Sequence, residues 1–325
     1  MKFKARLRLQ AVHELVRVLQ ALEKTTERDV VLLLENPQAG GVKLIVQQQP
    51  HAAGALDVHV HFQQAHLFED YRIVSKSDDT IGLSLEIGGL LRALRSAQKH
   101  SAELMLVKLS KKDVEVLAFD IYTAHTMALA QDVPVRVLNA VQLSNCSAPA
   151  LQRGADSMGL WLPPALIRQM YFKADKMRAL DSPIRIECKC PNLAAMGELD
   201  RASSQITLEV DNELVNMRAT FTELERMRED PVTEAQANVN ANDTHSGESQ
   251  PNPRSAFVQR DVAVDGRYFA RALYGYHMMM DPNRMGAAMS TTSTLLCGSL
   301  FLWSNCIMVH FPFESKLGSA SYYVS

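Results

Sequence analysis

Apolar residues recur at helical spacing in four stretches of the chain. Val12, Leu15, Val16, Leu19 and Leu22 stand three and four apart, which places them on one face of a helix. Ile87, Leu90, Leu91 and Leu94 repeat the pattern. Leu166, Ile167, Met170, Ala174 and Met177 repeat it behind Pro163-Pro164, residues suited to opening a helix. A fourth helix is predicted behind Asp265, a natural N-cap, with Phe269, Ala272, Leu273 and Tyr276 inward. Between these helices the chain reads as short β-prone runs bounded by Gly, Asn, Asp and Pro. The runs are 30–35, 42–49, 56–62, 71–76 and 81–86, then 103–109, 114–121 and 132–138. After the third helix come 184–190, 206–210 and 213–221, and after the fourth 294–303, 306–313 and 319–324. A few helices among many antiparallel strands define an α+β class.

Helix starts at Ala11, Gly88, Pro164 and Asp265 are about 77, 76 and 101 residues apart. The segment 230–254 is rich in Asn, Ser, Thr, Glu and Pro, lacks apolar periodicity and is predicted to be disordered. Without that insert the last interval also falls to about 76 residues. The chain therefore reads as one helix-plus-strands unit used four times, two units per domain. A polar stretch at the midpoint, 139–156, reads as a connector. That gives an N-terminal domain over 1–138 and a C-terminal domain over 157–325 that carries the insert.

The polar faces of the same helices are basic. His13, Arg17, Gln20 and Lys24 line the first, and Arg92, Arg95, Ser96 and Lys99 the second. Gln169, Lys173 and Lys176, with Arg168 beside them, line the third, and Arg267 and Arg271 sit one turn apart on the fourth. Glu14, Glu23 and Asp175 lie nearby. One solvated basic face is ordinary; four at a repeated spacing point to a surface that follows phosphates without reading bases. Overall charge sharpens this. Lys plus Arg number 34 against 36 Asp plus Glu, a formal net charge of −2, so the chain is no polycation, and for nucleic acid to be its partner the cations must be gathered on one surface. With 47% hydrophobic and 22% charged residues the chain can build full cores. Five cysteines suit a reducing compartment. The opening Met1-Lys2-Phe3-Lys4-Ala5-Arg6-Leu7 has no signal-peptide core, and no apolar run reaches the ~20 residues of a membrane helix, so a soluble intracellular chain is expected.

Rival chemistry is thin. Cys188 and Cys190 share a strand face, but no second pair at finger-like spacing completes a zinc set; Cys297 and Cys306 fit a hairpin. His59 and His61, near His51 and His66, lack a glutamate in helical register. Phosphate-loop, dinucleotide and nucleophile-elbow motifs are missing from the sequence. Met278-Met279-Met280 reads as core or groove filler, and Ser249-Gln250 is a dipeptide in the insert.

Order and spacing together resemble a sliding clamp of the PCNA type, and local sequence resembles its Hus-one-type checkpoint branch. The resemblance rests on Met1-Lys2-Phe3-Lys4-Ala5 as first strand, and on Leu67-Phe68-Glu69-Asp70-Tyr71-Arg72-Ile73 followed by Asp78-Asp79. It rests also on Leu90-Leu91-Arg92-Ala93-Leu94-Arg95-Ser96-Ala97, on Asp132-Val133-Pro134-Val135-Arg136-Val137, and on Met308-Val309-His310-Phe311 with the closing Tyr322-Tyr323. It covers nearly the whole chain, apart from 230–254 and padding between Pro191 and Ser203.

The resemblance implies a two-domain, non-catalytic subunit of a heterotrimeric ring, with neither cofactor nor metal, formed with Rad-nine-like and Rad-one-like subunits. The ring would encircle double-stranded DNA, be placed by a clamp loader, and recruit repair and checkpoint signalling proteins in the nucleus. Carried onto this sequence, the channel would be lined by Arg17, Lys24, Arg92, Arg95, Lys99, Lys173, Lys176, Arg267 and Arg271. Subunits would meet through Asp132, Val133, Val135 and Val137 on one edge and Leu214, Val215 and Met217 on the other. A homotrimeric replication clamp, a β-rich scaffold that never encircles DNA, and a metal enzyme built on the His cluster are the alternatives.

Overall fold

The structure is a computed structural model, and it describes residues 1–25, 29–36, 38, 41–46, 55–75, 79–124, 126–149, 158–191, 203–227, 257–279, 297–303, 305–313 and 317–325. The first unit is β1 (Lys2–Leu7), α1 (Leu9–Thr25), β2 (Val30–Leu34), β3 (Val42–Val46) and β4 (Leu56–Phe62). A turn of helix, α2 (Gln64–Leu67), leads into β5 (Phe68–Val74). The second unit is β6 (Ile81–Leu85), α3 (Ile87–Lys99), β7 (Leu104–Lys111), β8 (Glu115–Thr123) and β9 (Thr126–Val137), after which α4 (Ala140–Ser144) lies in the midpoint stretch. The third is β10 (Met158–Leu162), α5 (Pro164–Met177), β11 (Ile184–Pro191), β12 (Ser204–Asp211) and β13 (Asn216–Leu224). The fourth is β14 (Phe257–Val264), α6 (Gly266–Met279), β15 (Gly298–Leu302), β16 (Ile307–Pro312) and β17 (Gly318–Val324).

All four long helices stand where the apolar spacing put them. In α3, Ile87, Leu90, Leu91 and Leu94 are buried, each contributing on the order of 1.5–3 kcal/mol, so Leu91→Ala would cost about 2–5 kcal/mol. Asp265 caps α6 as expected: its carboxylate accepts from the Arg267 backbone N–H at 2.8 Å, and its carbonyl takes those of Tyr268 and Phe269. The midpoint stretch holds more order than its composition suggests. Asn139 and Gln142 form a reciprocal capping box that starts α4.

Three predicted strands shift and two were missing from the predicted set; of the shifted ones, 71–76 begins earlier, as β5 from Phe68. Segment 132–138 is the end of the longer β9, and 213–221 begins only at Asn216, because the Asn212 side chain accepts from the backbone N–H of both Leu214 (3.0 Å) and Val215 (2.8 Å) and holds them in a turn. Strands β10 and β14 each enter a helix directly, as β1 and β6 do. Predicted positions 47–49 and 294–296, and the insert 230–254, lie outside the described residues.

The repeat is visible in the strand order. One sheet runs β10-β15-β16-β17-β4-β3-β2-β6-β9-β8-β7-β1-β5 and the other β13-β12-β11-β14. Strand β1 lies between β5 and β7; β10 pairs β15 and meets Arg226 through a bridge at Leu160, so Arg226 stands where β5 stands in the first half. Likewise β2 lies between β3 and β6, and β11 between β12 and β14. The halves are stitched together by β17 running antiparallel to β4, from Gly318 opposite Phe62 to Val324 opposite Leu56. The helices pack side by side in the order α3, α1, α6, α5. Their apolar faces join the sheets in one core, leaving the opposite helix faces on the surface.

Candidate nucleic-acid interface

The predicted cations lie on the row of adjacent helices but differ in exposure and pairing. Arg92, Arg95 and Lys99 are exposed on α3, Lys24 on α1, and Lys173 and Lys176 on α5. None of these six forms an ion pair among the described residues. Arg17 is half-buried where α1 meets its neighbours. Arg271 is also half-buried, its guanidinium carbon 5.9 Å from the Tyr268 ring centre. Arg267 differs. Its Nη2 lies 2.8 Å from the Asp265 carboxylate, which holds the arginine's pKa up and the carboxyl's down, so its charge is largely compensated. Asp175 on α5 is likewise tied to Arg178 at 2.6 Å. A cleft of about 310 Å³ between the end of α5 and the start of α6 is lined by these paired arginines, Asp265 and Ser325; it offers little net charge. Of the predicted cations, the unpaired and exposed ones thus lie mainly on α3 and the outer face of α5.

The second set of candidates lies on strand edges. Symmetry between the halves explains why those edges are open. Strand β4 takes β17 on its outer edge, and β13 is its equivalent in the second half, yet β13 pairs only β12 among the described residues. Strand β9 is the equivalent of β17; over Thr126–Pro134 it pairs only β8, and it reaches β6 just at Val135–Val137. So the two strands that would repeat the β17–β4 joint have no partner for it within the described chain. Side chains divide by the period of two. Val133 and Val135 point into the core, while Asp132 is exposed and bonded to Lys112. Val137 and Met217 are half-buried. Leu214 is 91% exposed and Val215 39% exposed, and both sit in the β12–β13 turn rather than on the edge strand as predicted.

The rival metal readings find no geometry. Cys188 and Cys190 are buried, and Cys190 Sγ lies 3.3 Å from Met158 Sδ. Burial pushes both thiols up, Cys188 most strongly. His59 is packed edge-on to Tyr323 at 5.6 Å, and burial together with Lys43 lowers its pKa to about 4. Among the described residues no three His, Cys, Asp or Glu side chains gather in a metal-binding arrangement; His51, Ser249 and Met280 lie outside them. Met279 is buried and Met278 packs against the core, as filler should. No helix among the described residues is long and apolar enough to cross a membrane.

Sequence comparison gives the family. The family described as Hus1-like protein matches residues 1–309. The chain belongs to the Hus1-like family. A curated relative of the Hus1-like chain, the checkpoint protein hus1 homolog of Dictyostelium discoideum, is 24% identical over 209 residues, covering 64% of this chain and 72% of that protein. Among solved structures this Hus1-like chain is similar to PCNA from Thermococcus kodakaraensis, with a TM-score of 0.53, 12% identity, and 99% of each chain covered. It is also similar to a chain of the PCNA2–PCNA3 complex from Sulfolobus tokodaii, with a TM-score of 0.54, 9% identity, and 100% and 98% covered. The fold is that of the PCNA sliding clamps, in a member of the Hus1-like family.

Proposed function

We propose that this chain is a non-catalytic subunit of a heterotrimeric checkpoint clamp that encircles duplex DNA in the nucleus and recruits repair and signalling proteins. The observation that carries the reading is the pair of open edges. A strand joint made inside the chain by β17 and β4 has no counterpart at β9 and β13 among the described residues. Unpaired edges invite another chain, and a head-to-tail contact between two different edges closes into a ring when the rotation allows. Residues Asp132–Val137 and the turn holding Leu214 and Val215, with Met217, would form the two sides of that contact. Val133 and Val135 contribute their backbone, since their side chains are already in the core.

The helix row then lines the channel. Arg92, Arg95, Lys99, Lys24, Lys173 and Lys176 would contact phosphates weakly and without base preference, which is what sliding requires. A closed ring stays on DNA by topology, so such contacts need not be tight. We take 1–138 and 157–325 as the two clamp domains and 139–156 as their connector. Rad-nine-like and Rad-one-like chains are the proposed neighbours, placed on DNA with this one by a clamp loader.

Light scattering tests the heteromeric part. The chain alone should run at its monomer mass of 36.2 kDa and enter a ring only with the two other subunits. A homotrimer of the isolated chain would instead support a replication-type clamp.

A further inference from the structure

The outward faces of the four helices are not alike. Helices α1 and α3 contain no Phe, Tyr or Trp, whereas α5 and α6 carry Tyr171, Phe172, Tyr268, Phe269, Tyr274 and Tyr276. Phe269 and Tyr276 are core residues. The others are not. Tyr171 lies 5.5 Å from Phe172 and 5.5 Å from Tyr274, and it stacks on His277 at 6.2 Å with the rings 15° apart. Tyr274 closes the group against His277 at 6.4 Å. Phe172, at the outer end, is 48% exposed, and the Arg168 guanidinium sits 5.7 Å from its ring centre. Burial and the nearby Arg168 lower the His277 pKa, so that ring stacks as a neutral aromatic at neutral pH.

A solvated helix face needs no phenylalanine, and a face made only to follow phosphates needs none either. Aromatic rings interleaved with exposed cations are what an unpaired nucleobase on a phosphate backbone recognises, since every base has a π-face and every phosphate a charge. Arg168, Lys173 and Lys176 are all exposed around these rings. We infer that the Tyr171–Phe172–Tyr274–His277 cluster is a stacking platform for unpaired bases of single-stranded DNA. The first-domain face, basic but without Phe, Tyr or Trp, is suited to duplex alone. The inference rests on the reading that the helix row faces DNA. It adds to that reading a preference, confined to one end of the row, for DNA with an unpaired segment.

The test uses the full chain and three labelled probes of equal length at low salt: an oligothymidylate, an abasic strand with the same phosphates, and a duplex. Wild type should bind the oligothymidylate more tightly than the abasic strand. Phe172→Ala should weaken oligothymidylate binding by about tenfold, the loss expected for one stacked base, and leave duplex binding unchanged. Phe172→Trp should restore it. Phe172→Leu, which keeps an apolar side chain, should behave like Ala, so a folding defect in one variant does not decide the result. If wild type binds the abasic strand as tightly as oligothymidylate, or if Phe172→Ala and Phe172→Leu weaken duplex and single strand alike, the platform is refuted while the DNA-facing reading stands. If wild type binds none of the three probes, the platform is refuted, while the DNA-facing reading, which needs only weak contacts inside a closed ring, stands.

Discussion

Reversing the charge of Arg92, Arg95 and Lys99 together, each to Glu, probes the helix row where its cations are least compensated. All three are exposed on the outer face of α3, and none pairs with an acid among the described residues. The buried face through Ile87, Leu90, Leu91 and Leu94 is untouched, so the fold should survive. The stability cost is confined to the helix end. Lys99 lies in the last turn, where a cation favours the macrodipole by about 0.3–1 kcal/mol, and a glutamate there forfeits that and adds a like-signed term. A loss of about 1 kcal/mol would lower Tm by roughly 2–4 °C for a chain of this class.

The DNA effect is larger. Each phosphate neutralised contributes roughly 0.9 to the slope of log affinity against log salt, so three lost contacts should flatten that slope by about 2.7. Over a fourfold rise in salt, wild type should then lose roughly 40-fold more of its affinity than the variant does. Fluorescence anisotropy on a random duplex at several salt concentrations reads both quantities, and several unrelated sequences should respond alike. An unchanged slope would mean that α3 faces away from DNA. Lost binding of one protein partner, with the slope intact, would make it a docking face.

Four further outcomes follow from the packing. A Cβ on Gly275 of α6 would lie 2.2 Å from the Tyr322 Oη and 2.6 Å from its Cζ, so Gly275→Ala should destabilise by about 1–3 kcal/mol despite the better helix propensity of Ala, and chemical denaturation should show Tyr322→Phe restoring part of that loss. Tyr322→Phe alone should be neutral or stabilising by up to about 1 kcal/mol, because the buried hydroxyl has no hydrogen-bond partner among the described residues. His59, lowered to about 4, binds fewer protons folded than unfolded; its contribution, on the order of 3 kcal/mol, is present above the unfolded value near 6.5 and is lost as pH falls towards 4. Stability measured at pH 7 and pH 5 should therefore fall less in His59→Phe than in wild type; equal falls would refute the assignment. Leu214→Asp should leave the Tm of the isolated chain unchanged, since the side chain is 91% exposed, yet weaken capture of a neighbouring subunit; a lower Tm would place Leu214 in an intrachain contact.

The helices were legible because their apolar stripes are unambiguous, and the basic faces followed from the same arithmetic. Strands β10 and β14 escaped for different reasons. Met158–Leu162 is a short apolar run with one glycine and no alternation, and in β14 only the last residues, Val262 and Val264, are buried. The repeat itself held the missing signal, since β1 and β6 each run straight into a helix. Leu214 and Val215 read as strand because β-propensity cannot see that Asn212 will capture two backbone N–H groups. The aromatic cluster was readable as composition, but its assembly depends on α5 and α6 lying side by side, a tertiary fact. The open edges needed the strand order before they could mean anything.

Encirclement is best measured by topology. The chain, assembled with its two partner subunits and loaded by the clamp loader onto nicked circular DNA, is washed at high salt and then challenged by cutting the circle once. Salt screens phosphate contacts but cannot open a closed ring. The complex should stay on the circle through the wash and leave when the DNA is linearised. Release from the intact circle in high salt, or retention on the cut DNA with free ends, would contradict the claim that this chain is part of a ring closed around DNA.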